Sequence, residues 1–393
     1  MSIVLSASVR QNLLSLQSTA DLLSTTQNRL ATGNKVNSAL DNPTNFFTAQ
    51  GLNNRASDIN NLLDSIGNGV QVLQAANTGI TSLQKLVDTA KSIANQVLQA
   101  PAGYSPKSSV TSAANAGATA ANLKGGAGLV ATDALTIAAT GGGTAVTITF
   151  GTGVGEVDTL TELNAALAGN NLQASVDDTT GKITITTTND AASATIGAFG
   201  GTATAGVKAF STLVTVAKVA DAISQTTRAN LVAQYNNIIA QITTTAQDAS
   251  FNGINLLNGD NLKLTFNETG KSTLNISGVS YNATGLGLAA LVGGTDFLDS
   301  SSANKVITSL GTASSALRSQ ASSLGSNLSI VQIRQDFSKS LINVLQTGSS
   351  NLTLADTNEE AANSQALSTR QSIAVSALAL ANTSQQSVLQ LLR

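Results

Sequence analysis

The sequence of 393 residues contains no cysteine, no histidine and no tryptophan, and only three prolines. Without Cys or His there is no thiol nucleophile, no Ser-His-Asp relay, no His/Cys zinc site and no disulfide. Charged residues are 11% of the chain, the net charge is −2, and Lys and Arg nowhere cluster. Nucleic acid is therefore not an expected partner, because its binding draws on grouped positive charge. No basic region precedes an apolar run at the amino terminus, so a cleaved leader is not expected. Residues 371–392 carry no charge, but Gln371, Ser376, Asn382 and the polar run Thr383 to Ser387 break the apolar residues, and no membrane insertion is expected. Aromatics are 3% of a chain that is 42% hydrophobic. Ala, Leu, Val and Ile make up most of that supply, which suits narrow seams between helices better than a thick core.

Those aliphatics are placed with a strict period. Between Pro43 and Pro101, Ile59, Leu62, Ile66, Gly69, Leu73, Ala76, Ile80, Leu83, Val87, Ala90, Ala94 and Val97 are separated alternately by three and four, and only Gly69 lacks an apolar side chain. A mean period of 3.5 keeps one stripe against a partner helix if the two wind around each other with a left-handed twist. Asn42 and Pro43 fit a helix cap and first helical residue, and Pro101 and Pro106 a stop. Such a helix is roughly 80 Å long at 1.5 Å per residue.

Residues 1–32 repeat the spacing with Leu13, Leu16, Ala20, Leu23 and Leu30, Gln27 filling the missing step, and Gly33 with Asn34 ends the helix. After Pro101 the heptad vanishes, and residues 101–217 hold 17 of the 33 glycines. There Ala134 to Ala138, Ala145 to Phe150, Ala174 to Val176 and Lys182 to Thr188 read as strands, and Val157 to Leu167 as a short helix. A third helix with Leu231, Tyr235, Ile238 and Ile242 ends near Ala249, followed by a hairpin of Leu262 to Phe266 and Thr273 to Ile276 and a loop over 289–302. A fourth helix carries Ile307, Leu310, Leu317, Ala321, Leu324, Leu328, Val331, Ile342 and Leu345, with Gly348 as a stop or bend. A last helix starts at Asn358 with Glu359 and Glu360 and runs to about Leu392. The expected fold is α+β: long antiparallel coiled-coil helices from both termini with a β-hairpin, plus a small strand-strand-helix-strand-strand outer module. Its divisions are 1–42, 43–100, 101–217, 218–302, 303–350 and 351–393. The coiled-coil seam is assigned to Ile59, Leu62, Ile66, Leu73, Ile80, Leu83, Val87, Leu317, Leu324, Leu328 and Val331, and the partners of the long helix are expected elsewhere in the chain or in other chains.

No constellation supports catalysis, a cofactor or a metal. Gly151-Thr152-Gly153-Val154-Gly155 has neither the spacing nor the lysine of a phosphate loop. Glu359 and Glu360 are explained by the electrostatics of a helix start.

Three ordered motifs carry a resemblance. Asn28-Arg29-Leu30-Ala31-Thr32-Gly33-Asn34-Lys35-Val36-Asn37-Ser38-Ala39, then Ser250-Phe251-Asn252-Gly253 with Leu256 and Leu257, and finally Val388-Leu389-Gln390-Leu391-Leu392-Arg393 resemble signatures of bacterial flagellin. Asp133 to Thr188 resembles an insert repeat of flagellins and hook-associated proteins. The resemblance implies a filament-core pair of terminal helices and self-assembly into the extracellular flagellar filament used for motility. It also implies export unfolded through the flagellar type III route, an export chaperone on about Asn363 to Arg393, and hook-associated and cap proteins as neighbours. Leu13, Leu16, Leu23, Leu30, Ile373, Leu378, Val388, Leu391, Leu392 and Arg393 are the candidate assembly residues. A hook-filament junction protein and an adhesin on a helical stalk are the alternatives.

Overall fold

The computed structural model describes residues 7–126 and 128–391. Six α-helices are described: α1 (Ala7–Thr32), α2 (Pro43–Gln99), α3 (Leu160–Ala168), α4 (Ala222–Asp248), α5 (Ser300–Thr353) and α6 (Thr357–Leu391). The strands are β1 (Ser109–Thr111), β2 (Ala134–Ile137), β3 (Val146–Thr149), β4 (Leu172–Asp177), β5 (Lys182–Thr187), β6 (Phe199–Gly200), β7 (Val214–Val216), β8 (Leu262–Thr265) and β9 (Thr273–Ile276). The fold is α+β, with long helices towards both ends and a strand-rich middle.

The described residues divide into two compact units. One comprises those of Met1–Val70, Lys263–Asn275 and Ser329–Arg393, and the other Gln71–Leu262 and Ile276–Leu328. In the first unit, α1 ends because Gly33 takes a left-handed φ of 71° while its N–H still donates to the Arg29 carbonyl at 2.8 Å. Asp41 holds the connector by accepting the backbone N–H groups of Asn37 and Ser38 at 2.9 and 2.8 Å. Those bonds to Ser38 and Asn37 hold its carboxyl below the ordinary aspartate value. The next helix opens as its sequence suggests: the Asn42 side chain accepts the Asn45 N–H at 3.0 Å and Pro43 needs no partner.

Early α2 packs antiparallel on late α5. Ala56 and Ile59 form one apolar cluster with Ile342 and Leu345, and the Ser349 hydroxyl donates to the Ala49 carbonyl at 3.2 Å. Gly348 does not stop the helix. It is half-buried 3.5 Å from Leu52 where a Cβ would sit, and α5 continues to Thr353, because a glycine inside a well-packed stripe costs only about 1 kcal/mol. Gly69, the one gap in the α2 stripe, receives the hairpin: a Cβ there would lie 2.4 Å from Leu264 Cδ2. The hairpin is also tied by Arg55 to Glu268 at 2.8 Å and by Arg334 over the Phe266 ring at 5.8 Å. The last helix starts one residue before Asn358, at Thr357. Asp356 caps it, accepting the N–H groups of Asn358 and Glu359 at 2.9 and 3.3 Å.

In the second unit the later α2 stripe is closed throughout, with Leu73, Ala76, Ile80, Leu83, Val87, Ala90, Ala94 and Val97 all buried, as are Leu310, Ala313, Leu317 and Leu324 of α5. α5 begins at Ser300, inside the stretch expected as loop. α4 buries Leu231, Tyr235, Ile239 and Ile242. Burial pushes the Tyr235 phenol up to about 12, and its ring meets Phe297 edge-on at 5.9 Å.

The strand-rich module contains two antiparallel sheets, ordered β4-β5-β1-β7 and β3-β2-β6. Between them lies a core that includes Leu135, Ile148, Phe150, Leu163, Leu167 and Ile185. α3 starts with a capping box: Thr159 accepts the Glu162 N–H at 3.3 Å and Glu162 accepts the Thr159 N–H at 3.0 Å. The expected strands and helix correspond to β2, β3, α3, β4 and β5. β1, β6 and β7 have two or three residues each, too short for alternation to register.

The module's two ends run together. Tyr104 and Ala220 form a β-bridge, and the Ser105 N–H donates to the Val219 carbonyl at 2.9 Å. Beside them Arg228, 2% exposed, donates to three backbone carbonyls: Nε to Pro101 at 2.7 Å, Nη1 to Phe297 at 2.6 Å and Nη2 to Ala100 at 3.0 Å. The acceptors at Ala100 and Pro101 follow the carboxyl end of α2, where carbonyls lack helical partners and the dipole favours a cation. Burial lowers the guanidinium pKa and Asp299 opposes that shift. Asp299 in turn accepts both the N–H and the hydroxyl of Ser193.

Arg228→Ala would leave these carbonyls without their donor and should destabilise this unit by about 2–4 kcal/mol in denaturant titration. Arg228→Lys should recover only part of that, because an ammonium cannot fork to three separated acceptors.

Candidate assembly surface

α1 and α6 pack along each other in the first unit and run antiparallel, since Arg29 near the end of α1 meets Glu360 near the start of α6 at 3.3 Å. On α1 the side turned to α6 carries Val9, Thr19 and Thr26, all buried, with Leu16 and Leu23 half-buried between them. On α6 it carries buried Glu360, then Ser364, Leu367, Gln371, Ala374, Leu378 and Ala381, all half-buried and again three and four apart. The pair is thus a heptad seam one stripe wide, with polar groups at several steps. Thr19 is tolerated there because its hydroxyl donates to the Ser15 carbonyl at 2.8 Å. Leu22, Thr26, Arg29, Glu360, Leu367 and Arg370 are among the residues lining an open groove beside it.

Among the candidate assembly residues, the structure brings Leu16, Leu23 and Leu378 together in this seam. Leu13 and Leu30 are more than one-third exposed, and Ile373 is 64% exposed. Val388 and Leu391 belong to α6, but their side chains lie outside the description, and Leu392 and Arg393 lie outside the described residues. Sequence reasoning missed Thr19 and Thr26, choosing Ala20 and Gln27 as the alternate steps. Counting threonine as a methyl-bearing seam residue would have found them. Of the coiled-coil residues, Ile59, Ile66, Leu73, Ile80, Leu83, Val87, Leu317, Leu324 and Val331 are buried and Leu62 and Leu328 are half-buried.

Large aliphatic side chains remain bare among the polar residues on the outward faces of the pair. Leu14 and Leu22 of α1 are 66% and 51% exposed, and Val375 and Leu380 of α6 are 52% and 71% exposed. Among the described residues there is no cluster of three acidic side chains able to hold a metal ion, and no helix long and apolar enough to cross a membrane.

Two family models match the helices described here: the bacterial flagellin N-terminal helical region over residues 4–122 and the bacterial flagellin C-terminal helical region over residues 307–392. The chain belongs to the bacterial flagellin family. It is 32% identical over 165 residues to Flagellin FljM of Caulobacter vibrioides, a match that covers 42% of this chain and 59% of that protein. With Flagellin A of Rhizobium meliloti it shares 34% identity over 124 residues, covering 32% of this chain and 27% of the other. With a flagellin of Brucella melitensis it shares 30% over 171 residues, covering 41% and 60%. The chain spans about six-tenths of the length of the Caulobacter flagellins that it matches. The flagellin models leave residues 123–306 unmatched, which include most of the strand-rich module and all of α4 and the hairpin.

Leu23→Asp would put a carboxylate into the one-stripe seam and should separate α1 from α6, with lost helical circular dichroism and faster amide exchange in both helices. Leu14→Asp, on the outward face, should leave the monomer's helix content unchanged.

Proposed function

We propose that the chain is the structural subunit of a helical flagellar filament and carries out no catalysis. The observation that carries this reading is the state of α1 and α6: each spends one stripe on the other and leaves large aliphatic side chains bare on its remaining faces. A single narrow seam with Ser364, Gln371, Thr19 and Thr26 in it is a weak source of stability in water, because helices of this kind draw most of their stability from packing. Neighbouring copies supply the missing cover. Each addition then orders helices and buries their outer faces in the same event, and a head-to-tail contact that does not close on itself propagates without limit.

In this reading residues 1–42 and 351–393 form the filament core, and residues 43–100, 218–302 and 303–350 the surrounding coiled-coil layer. Residues 101–217 form a solvent-facing outer module. The residues assigned to assembly are Leu13, Leu16, Leu23, Leu30, Ile373, Leu378, Val388, Leu391, Leu392 and Arg393. The filament is extracellular and serves motility. An export chaperone holds about Asn363 to Arg393 before assembly, and hook-associated and cap proteins meet the ends of the polymer. Membership of the flagellin family and the bare aliphatics of α1 and α6 support this assignment.

Purified chain seeded with filament fragments should grow long polymers. Removing Leu380 to Arg393 should abolish that growth while the strand-rich module keeps its cooperative unfolding transition. Filaments of normal length from the truncated chain would count against the proposal.

A further inference from the structure

The four-stranded sheet of the strand-rich module ends on β4 at one side and on β7 at the other, and the two edges are finished differently. α3 caps β4: the Asn164 side chain accepts the Ala174 N–H at 2.6 Å and donates to the Ala174 carbonyl at 3.2 Å, standing in for a neighbouring strand. No strand pairs with the outer side of β7 among the described residues. Its three residues are all exposed, Val214 at 61% and Val216 at 42%.

The backbone of β7 is turned so that this side is open. The Ser112 N–H donates to the Ile183 carbonyl at 2.9 Å and the Thr187 N–H to the Ser108 carbonyl at 3.0 Å, so Ser108, Val110 and Ser112 face β5. Ser109 and Thr111 therefore face β7, where they pair with Val216 and Val214. Thr215, between those two, points its N–H and carbonyl away from β1, and Leu213 and Ala217 follow the same alternation. Neither Leu213 nor Ala217 makes a backbone hydrogen bond among the described residues. Such a row is a template for another strand, and chains ordinarily blunt it with lysine or proline. Residues 209–217 hold no charge and no proline. The next residue, Lys218, is drawn away: its Nζ donates to the Ser193 carbonyl and lies 5.3 Å from the centre of the Tyr104 ring.

This edge fits its own copy. Val214-Thr215-Val216 reads the same in both directions, which is the self-complementarity that a two-fold contact needs. Across a two-fold axis at Thr215, each Thr215 exchanges both hydrogen bonds with its counterpart, and Leu213 does so with the partner's Ala217. Val214 then lies opposite the partner's Val216 at the close spacing of a non-hydrogen-bonded pair. An uncharged edge meets itself without repulsion. A neighbour's β4 is shut out, because Asn164 already holds that edge.

We propose that β7 pairs antiparallel with β7 of a second copy of this chain, joining two four-stranded sheets into one across a two-fold axis. The contact rests on the filament reading, in which copies follow one another head to tail and no two-fold relates them. The second copy therefore belongs to another filament, and β7 is a lateral contact between filaments. A pair of short strands is weak by itself, and its repetition along two polymers multiplies it.

The test uses the absence of native cysteine. Filaments of Val214→Cys chain and filaments of Val216→Cys chain are grown separately on seeds, mixed, and treated with diamide, which takes up the two thiol hydrogens as the disulfide forms. Paired β7 strands bring the Cα atoms at these positions to about 4.5 Å, within disulfide reach, whereas two copies of Val214→Cys stay displaced by about 7 Å along the strand. Dimers joining the two variants are expected at about tenfold or more the yield of dimers in either population alone. Adding Thr215→Pro to both chains removes only the outward N–H, so the module's cooperative unfolding should persist while the cross-link falls about tenfold. A mixture without the dimer, or a yield that Thr215→Pro leaves unchanged, would overturn the contact and leave the filament reading intact. Variants that fail to grow where the parent grows would overturn it too, because they would place β7 inside the filament. A parent that does not grow on seeds removes both.

Discussion

A helix that repeats its aliphatic side chains every 3.5 residues needs a companion along its whole length, and this constraint organises the chain. α2 meets it within the molecule, and its stripe is buried from Ile66 through Val97. α5 shares the same debt along its stripe, buried at Leu317, Leu324 and Val331. α1 and α6 meet it only in part, since one seam joins them and aliphatics remain bare on both. The division between complete and incomplete seams separates the helices that one chain covers fully from those that it covers along one side only.

The exceptions to the apolar rule are as informative as the rule. Gly69 interrupts the α2 stripe because Leu264 of the hairpin occupies the place of its side chain. Thr19 enters the α1 seam with its hydroxyl satisfied by the preceding turn. Arg228 places a full charge in the second unit, offset by three carbonyls that α2 and the 297 loop would otherwise leave without donors. In each case a residue that breaks the pattern answers a local need of geometry or hydrogen bonding, so these positions fix the packing as tightly as the aliphatics do.

The long helices, the hairpin and the strands of four residues or more were legible in the sequence because their periods persist long enough to be distinguished. β1 and β7 were not, because a run such as Ser109–Thr111 becomes a strand only through the partners it finds at β5 and β7. Of the stop or bend expected at Gly348, the stop does not occur, because sequence gives a glycine's cost but not the packing that offsets it. The α1 seam was read half correctly: Leu16 and Leu23 are common to both possible registers, and the alternate step is decided by threonines that a purely apolar count passes over. Arg228 left no trace in any pattern, since its partners are backbone atoms more than a hundred residues earlier or about seventy later.

The strand-rich module leaves the helical framework at Tyr104 and returns at Ala220, two positions already bridged to each other. A domain whose entry and exit are neighbours can be exchanged for another of different size without moving the elements on either side. Residues 123–306, the part without a match to the flagellin models, include most of that cassette. The joint at Tyr104 and Ala220 therefore lets the module between them change in size while α2 and α4 keep their places.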